Sequence, residues 1–342
     1  MSADCRLTTV TPIDYGRSRL GPLEPLLTSR FKGAKVYLEP DRGNNGDILI
    51  MCGTRHMFSV LGFQQVDSPE QADVLFLKGG GAMTEQWRIG FQTIKSYSAQ
   101  FPDKPLVVLP SSYRFKETNF PALFEGRRAP AFLFTREMYS YELLEPLTFP
   151  TEVEIGYDHD QAFQLEGSDY IRDLKKLDGG RYILIVERHD GGEKAKPERR
   201  NNSLPYRVGR AIVPIGARNA MRRRRHYPKD LPAAPNTAFA QESMRVLRKI
   251  APGCDALPVR AQDISVPGYV AFENFGKLIA GAGPVASQRL HVSCLAFTLG
   301  KPIVMDPGFY YKIRGVYELS MRTRDDVVLH DFAKAEAPPV NA

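Results

Sequence analysis

The chain has no apolar run approaching the ~20 residues that a bilayer-spanning helix requires. Its start, Met-Ser-Ala-Asp-Cys, has neither the basic nor the apolar stretch of a signal peptide. The expected location is therefore the cytoplasm. Only four cysteines occur, Cys5, Cys52, Cys254 and Cys294, and none has a partner at metal-ligand or redox spacing. A disulfide framework and a structural zinc site are both unexpected. Gly-x-Ser-x-Gly and His-Glu-x-x-His are missing too, which removes the usual signatures of serine and zinc hydrolases. There is no internal repeat and no heptad pattern.

What is present is a soluble composition over 342 residues, 43% apolar and 25% charged, enough for roughly two domains with their own cores. Charge is uneven. Between Glu193 and Asp230 lie 12 Lys or Arg against 3 Asp or Glu, a local +9 that exceeds the net +7 of the whole chain. This segment, peaking at Arg222 to Arg225, is expected either to meet anionic lipid or a lipid-linked phosphosugar, or to be a solvated insertion. Nucleic acid is an unlikely partner, because no binding motif accompanies the charge.

Short apolar strands alternate with helical patterns: Ala34 to Leu38, a helix from about Asp47 to Leu61, Ala72 to Leu77, a helix from about Thr84 to Tyr97, and Leu106 to Leu109. This predicts an α/β fold with parallel sheets covered on both faces. Ala131 to Phe134 and Val153 to Ile155 continue the series. A second unit is expected after about Leu165, with a strand at Arg181 to Val186, helices near Ala240 to Ile250 and Phe272 to Ala280, and strands near Leu257 to Val259 and Lys301 to Met305.

In open parallel sheets, ligands collect at the loops after the strands. Three such segments stand out. Gly43-Asn44-Asn45-Gly46-Asp47 joins a strand to a helix; its glycines permit close backbone approach, and Asp47 can cap the helix or act as a base. It matches neither the dinucleotide fingerprint nor the phosphate loop. Gly79-Gly80-Gly81 offers bare amides to an anion or a hydroxyl, with Lys78 beside it expected at the surface. Glu187-Arg188-His189-Asp190 gathers four ionisable groups at a strand end.

Ser287-Gln288-Arg289-Leu290-His291 is the most informative segment. It follows an expected turn at Gly281 to Pro284 and opens an apolar stretch that ends before Gly300. A helix start carrying an arginine and a histidine is suited to phosphate and carboxylate. The competing reading pairs Arg289 with a local acid and puts His291 in the core.

In order along the chain, Gly43 to Asp47, Lys78 to Gly81, Arg136-Glu-x-x-Ser140, Asp158-His-Asp-Gln-Ala-Phe163, Glu187 to Asp190, Ser287 to His291 and Lys312-Ile-Arg-Gly-Val-Tyr-Glu318 resemble the polysaccharide pyruvyltransferase family. The likeness spans nearly the whole sequence. It implies two Rossmann-like parallel-sheet domains facing a cleft, as in GT-B glycosyltransferases. Residues 1–165 would form the acceptor domain and 166–342 the phosphoenolpyruvate domain, with the last helix crossing back to the first. The implied reaction moves pyruvate from phosphoenolpyruvate onto two hydroxyls of a sugar, in a polysaccharide or its lipid-linked precursor, giving a ketal and phosphate with no metal or cofactor. A peripheral position on the membrane's inner face accords with this.

Residue by residue, Arg289, Leu290 and His291 match the family's donor-binding Arg-Leu-His, and Arg188 matches an arginine at the end of the second domain's first strand. Val292 stands where the family usually has glycine. The resemblance makes His291 the acid that protonates the donor's methylene carbon, Asp47 or Asp190 the base, and Arg188 and Arg289 the phosphate clamps. Gly43 to Gly46 and Gly79 to Gly81 would line the substrate. The alternatives are a GT-B glycosyltransferase using a nucleotide sugar and a non-catalytic polysaccharide-assembly protein.

Overall fold

The structure is a computed structural model and describes residues 7–40, 43–177, 179–188, 237–268, 270–308 and 311–332. Asp190, its neighbour His189 and the basic segment 193–230 lie outside these residues.

Strand alternation builds two cores, one on each face of the first sheet. In β3 (Val74–Leu77), β5 (Leu106–Arg114) and β6 (Ala131–Thr135), residues Leu75, Leu77, Leu106, Val108, Ala131 and Leu133 enter one core. Their neighbours Val74, Phe76, Val107, Leu109, Phe132 and Phe134 enter the other. Helices α1 (Leu23–Arg30) and α2 (Asn45–Val60) cover the second core through Leu23, Leu27 and Phe58, and α3 (Ile89–Gln100) covers the first through Phe91 and Ile94. Burial on both faces is why these strands read as continuous apolar runs.

With β1 (Lys35–Leu38), β2 (Gln64–Gln65), β4 (Gly80–Thr84) and β7 (Val153–Tyr157), the sheet has the order β2-β1-β3-β5-β6-β7, and β4 pairs with β5. Every pairing is parallel. Helices α4 (Met138–Leu144) and α5 (Asp169–Lys175) follow β6 and β7.

The second sheet contains β8 (Tyr182–Val186), β9 (Val259–Ala261), β10 (Ala282–Ser287), β11 (Ile303–Met305) and β12 (Val327–Leu329) in the order β12-β11-β10-β8-β9, again all parallel. Its helices are α6 (Ala238–Ile250), α7 (Phe272–Ala280) and α8 (Leu290–Thr298). The chain divides into two compact units. The first takes the chain up to Gly43, then Asp47–Arg172 and Tyr310–Arg324; the second takes Asn44–Gly46, Asp173–Phe309 and the chain from Asp325. The tail helix α9 (Lys312–Val316) belongs to the first unit, where Tyr311 hydroxyl donates to the Tyr113 carbonyl and His159 Nδ1 lies 2.9 Å from Ser320 Oγ.

Both sheets contain a reversal of strand order. In the first, the chain steps from β1 outward to β2 and then to β3 on β1's other side; in the second, β8, β9 and β10 repeat the move. The loops after β1 and β3, and those after β8 and β10, therefore diverge, and each divergence leaves a crevice at the carboxyl ends of the strands.

The structure corrects several sequence expectations. Gly80–Thr84 is a strand beside β5, so α3 begins at Ile89 rather than near Thr84. Arg88, at φ 55°, turns the chain between them. The strand β5 runs on past Leu109, with Pro110 to Ser112 inside it. The expected turn at Gly281 to Pro284 mostly forms the start of β10. A register shift between Ala282 and Val285 takes Pro284 out of the hydrogen-bond ladder, the condition for proline in an interior strand. No helix among the described residues is long and apolar enough to cross a membrane.

Candidate functional site

At the strand reversal of the first unit, Asp47 follows β1 and Lys78 follows β3. Their side chains form an ion pair, Lys78 Nζ to Asp47 Oδ1, at 2.8 Å. Gly43 makes room for it: a Cβ there would stand 2.2 Å from Asp47 Oδ2. Capping of α2 falls instead to Asn44, whose Oδ1 accepts from Gly46 N at 2.7 Å, so Asp47 is released from the role that sequence spacing had allowed it. Lys78 was expected at the surface, yet its side chain is only 10% exposed. Lys78 lies in the short step between β3 and β4, both of which pair with β5. Burial, aided by the Arg136 charge and opposed by Asp160, lowers the Lys78 ammonium to about 7.

Behind this pair, Arg136 Nη1 meets Asp160 Oδ2 at 2.6 Å and its Nε donates to Ser112 Oγ at 2.9 Å. Asp160 also accepts from Ala162 N at 2.8 Å. Glu137, beside Arg136, accepts from Ser140 N and is raised by burial to about 7. Gly79 and Gly80 are buried. A Cβ on Gly79 would lie 2.6 Å from the Pro110 carbonyl, and Gly80 has φ +112°. Gly81 is less confined, with Arg136 Nη2 at 3.9 Å from the position of a Cβ. Gln161 is fully buried next to Asp160, and neither amide atom has a hydrogen-bond partner among the described residues.

The second unit's reversal brings together the end of β8 and the start of α8. Gln288 joins them: its Oε1 accepts from Arg188 N at 2.8 Å, and its Nε2 donates to Asp306 Oδ2 at 2.7 Å. Arg289 is the residue just before α8, and no side chain caps that helix start. The Arg289 guanidinium forms a two-pronged pair with Asp263, Nε to Oδ1 at 3.2 Å and Nη2 to Oδ2. Asp263 is 3% exposed and Arg289 11%. The competing reading of a local acid partner thus holds for Arg289, which does not remove its side chain from the loop cluster. Asp263 fixes the fork and offsets its charge.

Leu290 is buried in the core, whereas His291 is half-buried and lies against Gly46. A Cβ on Gly46 would stand 2.4 Å from His291 Nδ1 and 2.9 Å from its Cβ. Asn45, expected to touch substrate, is buried and holds the 264–270 loop: its N donates to Ser265 O at 2.8 Å and its Nδ2 to Ile264 O and Val270 O at 2.8 and 2.9 Å. Gly46→Ala is therefore expected to push the imidazole aside. The measurement is the His291 ring's NMR chemical shifts, which should move while the thermal unfolding midpoint changes by only a few degrees; unmoved shifts would show that the contact is not tight.

Sequence reasoning missed Asp263, expected Lys78 at the surface, and quoted Gln161 in a motif without a role. Arg136 and Asp160 were visible as parts of motifs, without a stated role. Among the described residues, no group of three or more His, Cys, Asp or Glu is placed to hold a metal ion. Cys254 and Cys294 are buried and Cys52 is partly so.

Comparison with known proteins adds fold but no family. No family model matches the chain, and no curated protein does. A solved structure of an uncharacterized protein, KP1_0663 from Klebsiella pneumoniae, is similar with a TM-score of 0.56 and 19% identity, over 90% of this chain and 97% of that one. The chain has an α/β fold with parallel sheets like that of KP1_0663.

Proposed function

We propose that the protein transfers pyruvate from phosphoenolpyruvate to two hydroxyls of a sugar, in a polysaccharide or its lipid-linked precursor, as a ketal. The observation that carries this reading is that Arg188 follows β8 and Arg289 and His291 follow β10, two loops that Gln288 joins at the point where an open parallel sheet binds ligands. The donor bears a phosphate and a carboxylate. Two guanidinium groups and the start of α8, which no side chain caps, suit that pair of anions. A nucleotide sugar would present a diphosphate but no carboxylate.

In the proposed reaction, His291 gives a proton to the donor's methylene carbon, a sugar hydroxyl adds to the central carbon, and a second hydroxyl displaces phosphate. Arg188 and Arg289 hold the leaving phosphate. The acceptor is assigned to the first unit and the donor to the second, in the GT-B manner that the resemblance implies. A cytoplasmic protein resting on the inner face of the membrane would meet lipid-linked acceptors there.

The test is incubation with phosphoenolpyruvate and candidate lipid-linked oligosaccharides. Phosphate release with a pyruvyl mass gain on the saccharide is the expected result. Stabilisation of the protein against heat by a nucleoside diphosphate, with none by phosphoenolpyruvate, would favour a glycosyltransferase instead. Neither effect would leave an assembly role.

Arg289 gives a sharper check, but Asp263 dictates the variant. Removing the arginine alone strands a buried carboxylate and costs the fold several kcal/mol. Exchanging both partners, Asp263→Asn with Arg289→Gln, keeps a hydrogen-bonded pair without the charge. This protein is expected to fold and to bind phosphoenolpyruvate ~30- to ~1,000-fold more weakly, about 2–4 kcal/mol by calorimetry. Unchanged affinity would remove Arg289 from the donor site.

A further inference from the structure

We infer that the second unit carries a further anion site, a cleft along β9 and α7 in which Arg181 and Arg260 hold the phosphate of a small phosphorylated ligand. The site does not depend on the transfer reading, because none of the residues that reading uses lines it.

The cleft has a volume of about 330 Å³. That is at the small end of the ~300–1,000 Å³ typical of small-molecule sites. Arg181 lies just before β8 and Tyr182 begins it, at the end of the strand away from Arg188. Arg260 is the middle residue of β9, Gln262 follows that strand, and Asn274 and Lys277 come from α7.

Tyr182 organises the two arginines. Its hydroxyl donates to the Leu278 carbonyl at 2.7 Å, which ties the ring to α7. The Arg260 guanidinium lies over that ring, its Cζ 4.7 Å from the centre, a favourable cation–π position. Arg181 comes to the hydroxyl end: a Cβ on Gly281 would stand 2.3 Å from Arg181 Nη2 and 3.1 Å from Tyr182 Oη. The missing side chain at Gly281 therefore leaves the second guanidinium its place.

Charge then sets the class of ligand. Neither guanidinium has a hydrogen bond or an ion pair among the described residues, and no carboxylate lines the cleft. Glu273 on α7 is taken by Lys277, and Asp263, next after Gln262, is taken by Arg289. Arg289 has its acid; Arg181 and Arg260 do not. Two like charges gathered on one tyrosine repel, and an anion between them offsets that repulsion. Phosphate fits the planar forks of two arginines. The side-chain amides of Gln262 and Asn274, each both donor and acceptor, suit hydroxyls on the rest of the ligand. A phosphate monoester of a small polyol has both parts.

The test uses the whole protein and two probes of one chemistry. Glycerol 3-phosphate presents the monoester in solution, and phosphatidylcholine vesicles containing phosphatidic acid present it on a lipid. Binding of at least one is expected, by calorimetry for the first and by vesicle sedimentation for the second. Arg181→Gln with Arg260→Gln breaks no ion pair and should melt with the wild type; if it does not, each single change serves instead. It should weaken the binding about 10- to 100-fold. Arg260→Lys keeps the charge but loses the fork, and should still weaken it several-fold. Lys249→Gln removes an exposed charge on α6 outside the cleft and should have no effect. Arginine-dependent binding of the soluble probe alone would make the ligand a free phosphate ester, and of the vesicles alone a lipid headgroup. Binding of neither probe, or binding that survives the arginine changes, would overturn the inference. So would a parallel loss of phosphoenolpyruvate affinity, since the two arginines would then belong to the donor site.

Discussion

Replacing Asp160 with alanine is expected to lower the unfolding free energy by about 3–5 kcal/mol, because it takes the carboxylate from a guanidinium in the interior. Arg136 is 1% exposed and Asp160 0%, and they meet at 2.6 Å. Asp160 also accepts from Ala162 N and so starts the short helical turn at Gln161–Leu165. With a urea slope of about 1–3 kcal/mol per molar, the midpoint should fall by more than about 1 M. Removing both charges tests the cause. Arg136→Met with Asp160→Asn removes both charges and should regain much of the loss, although Ser112 loses a donor and Glu137 the cation beside it. A single Asp160→Ala variant with the wild-type midpoint would mean that water reaches Arg136 and that the pair is not a structural support of the crevice.

The pair also shows why the site was only half legible in the sequence. The strands were plain: the continuous apolar runs at Val74 to Leu77 and Leu106 to Leu109 are what a sheet covered on both faces requires, and they need no distant information. Gly300, at φ 74° just beyond α8, was equally readable, since a left-handed residue after a helix favours glycine. What could not be read depends on partners far along the chain. Asp263 lies 26 residues before Arg289 and on a different loop, so a motif centred on Arg289 cannot disclose it. Lys78 looked exposed because lysine usually is; only the pairing of Gly80–Thr84 with β5 shows that the chain does not turn outward there. Glycine-rich strands carry little side-chain signal, and β4 was hidden for that reason. The identities of the loop residues were available from the start, whereas their contacts required the order of the strands.

The largest effect on chemistry is expected at His291. His291→Gln should fold, bind phosphoenolpyruvate and lose ~10²- to ~10⁴-fold in turnover, the usual worth of a positioned general acid. Glutamine can donate a hydrogen bond where the imidazole stood, but it holds no proton that it can give up near neutral pH. Packing favours a clean result: His291 is at the second position of α8, half-buried against a glycine, and its replacement opens no large cavity in the core that Leu290 and Val292 enter on either side. Single-turnover phosphate release and calorimetric binding of phosphoenolpyruvate separate the two roles. Weakened binding with proportionate loss of rate would make His291 a clamp for the donor's anions. Turnover within a few fold of wild type, with binding intact, would exclude it as the acid. The proton to the methylene carbon would then have to come from another group, and Asp190 would be the next residue to replace.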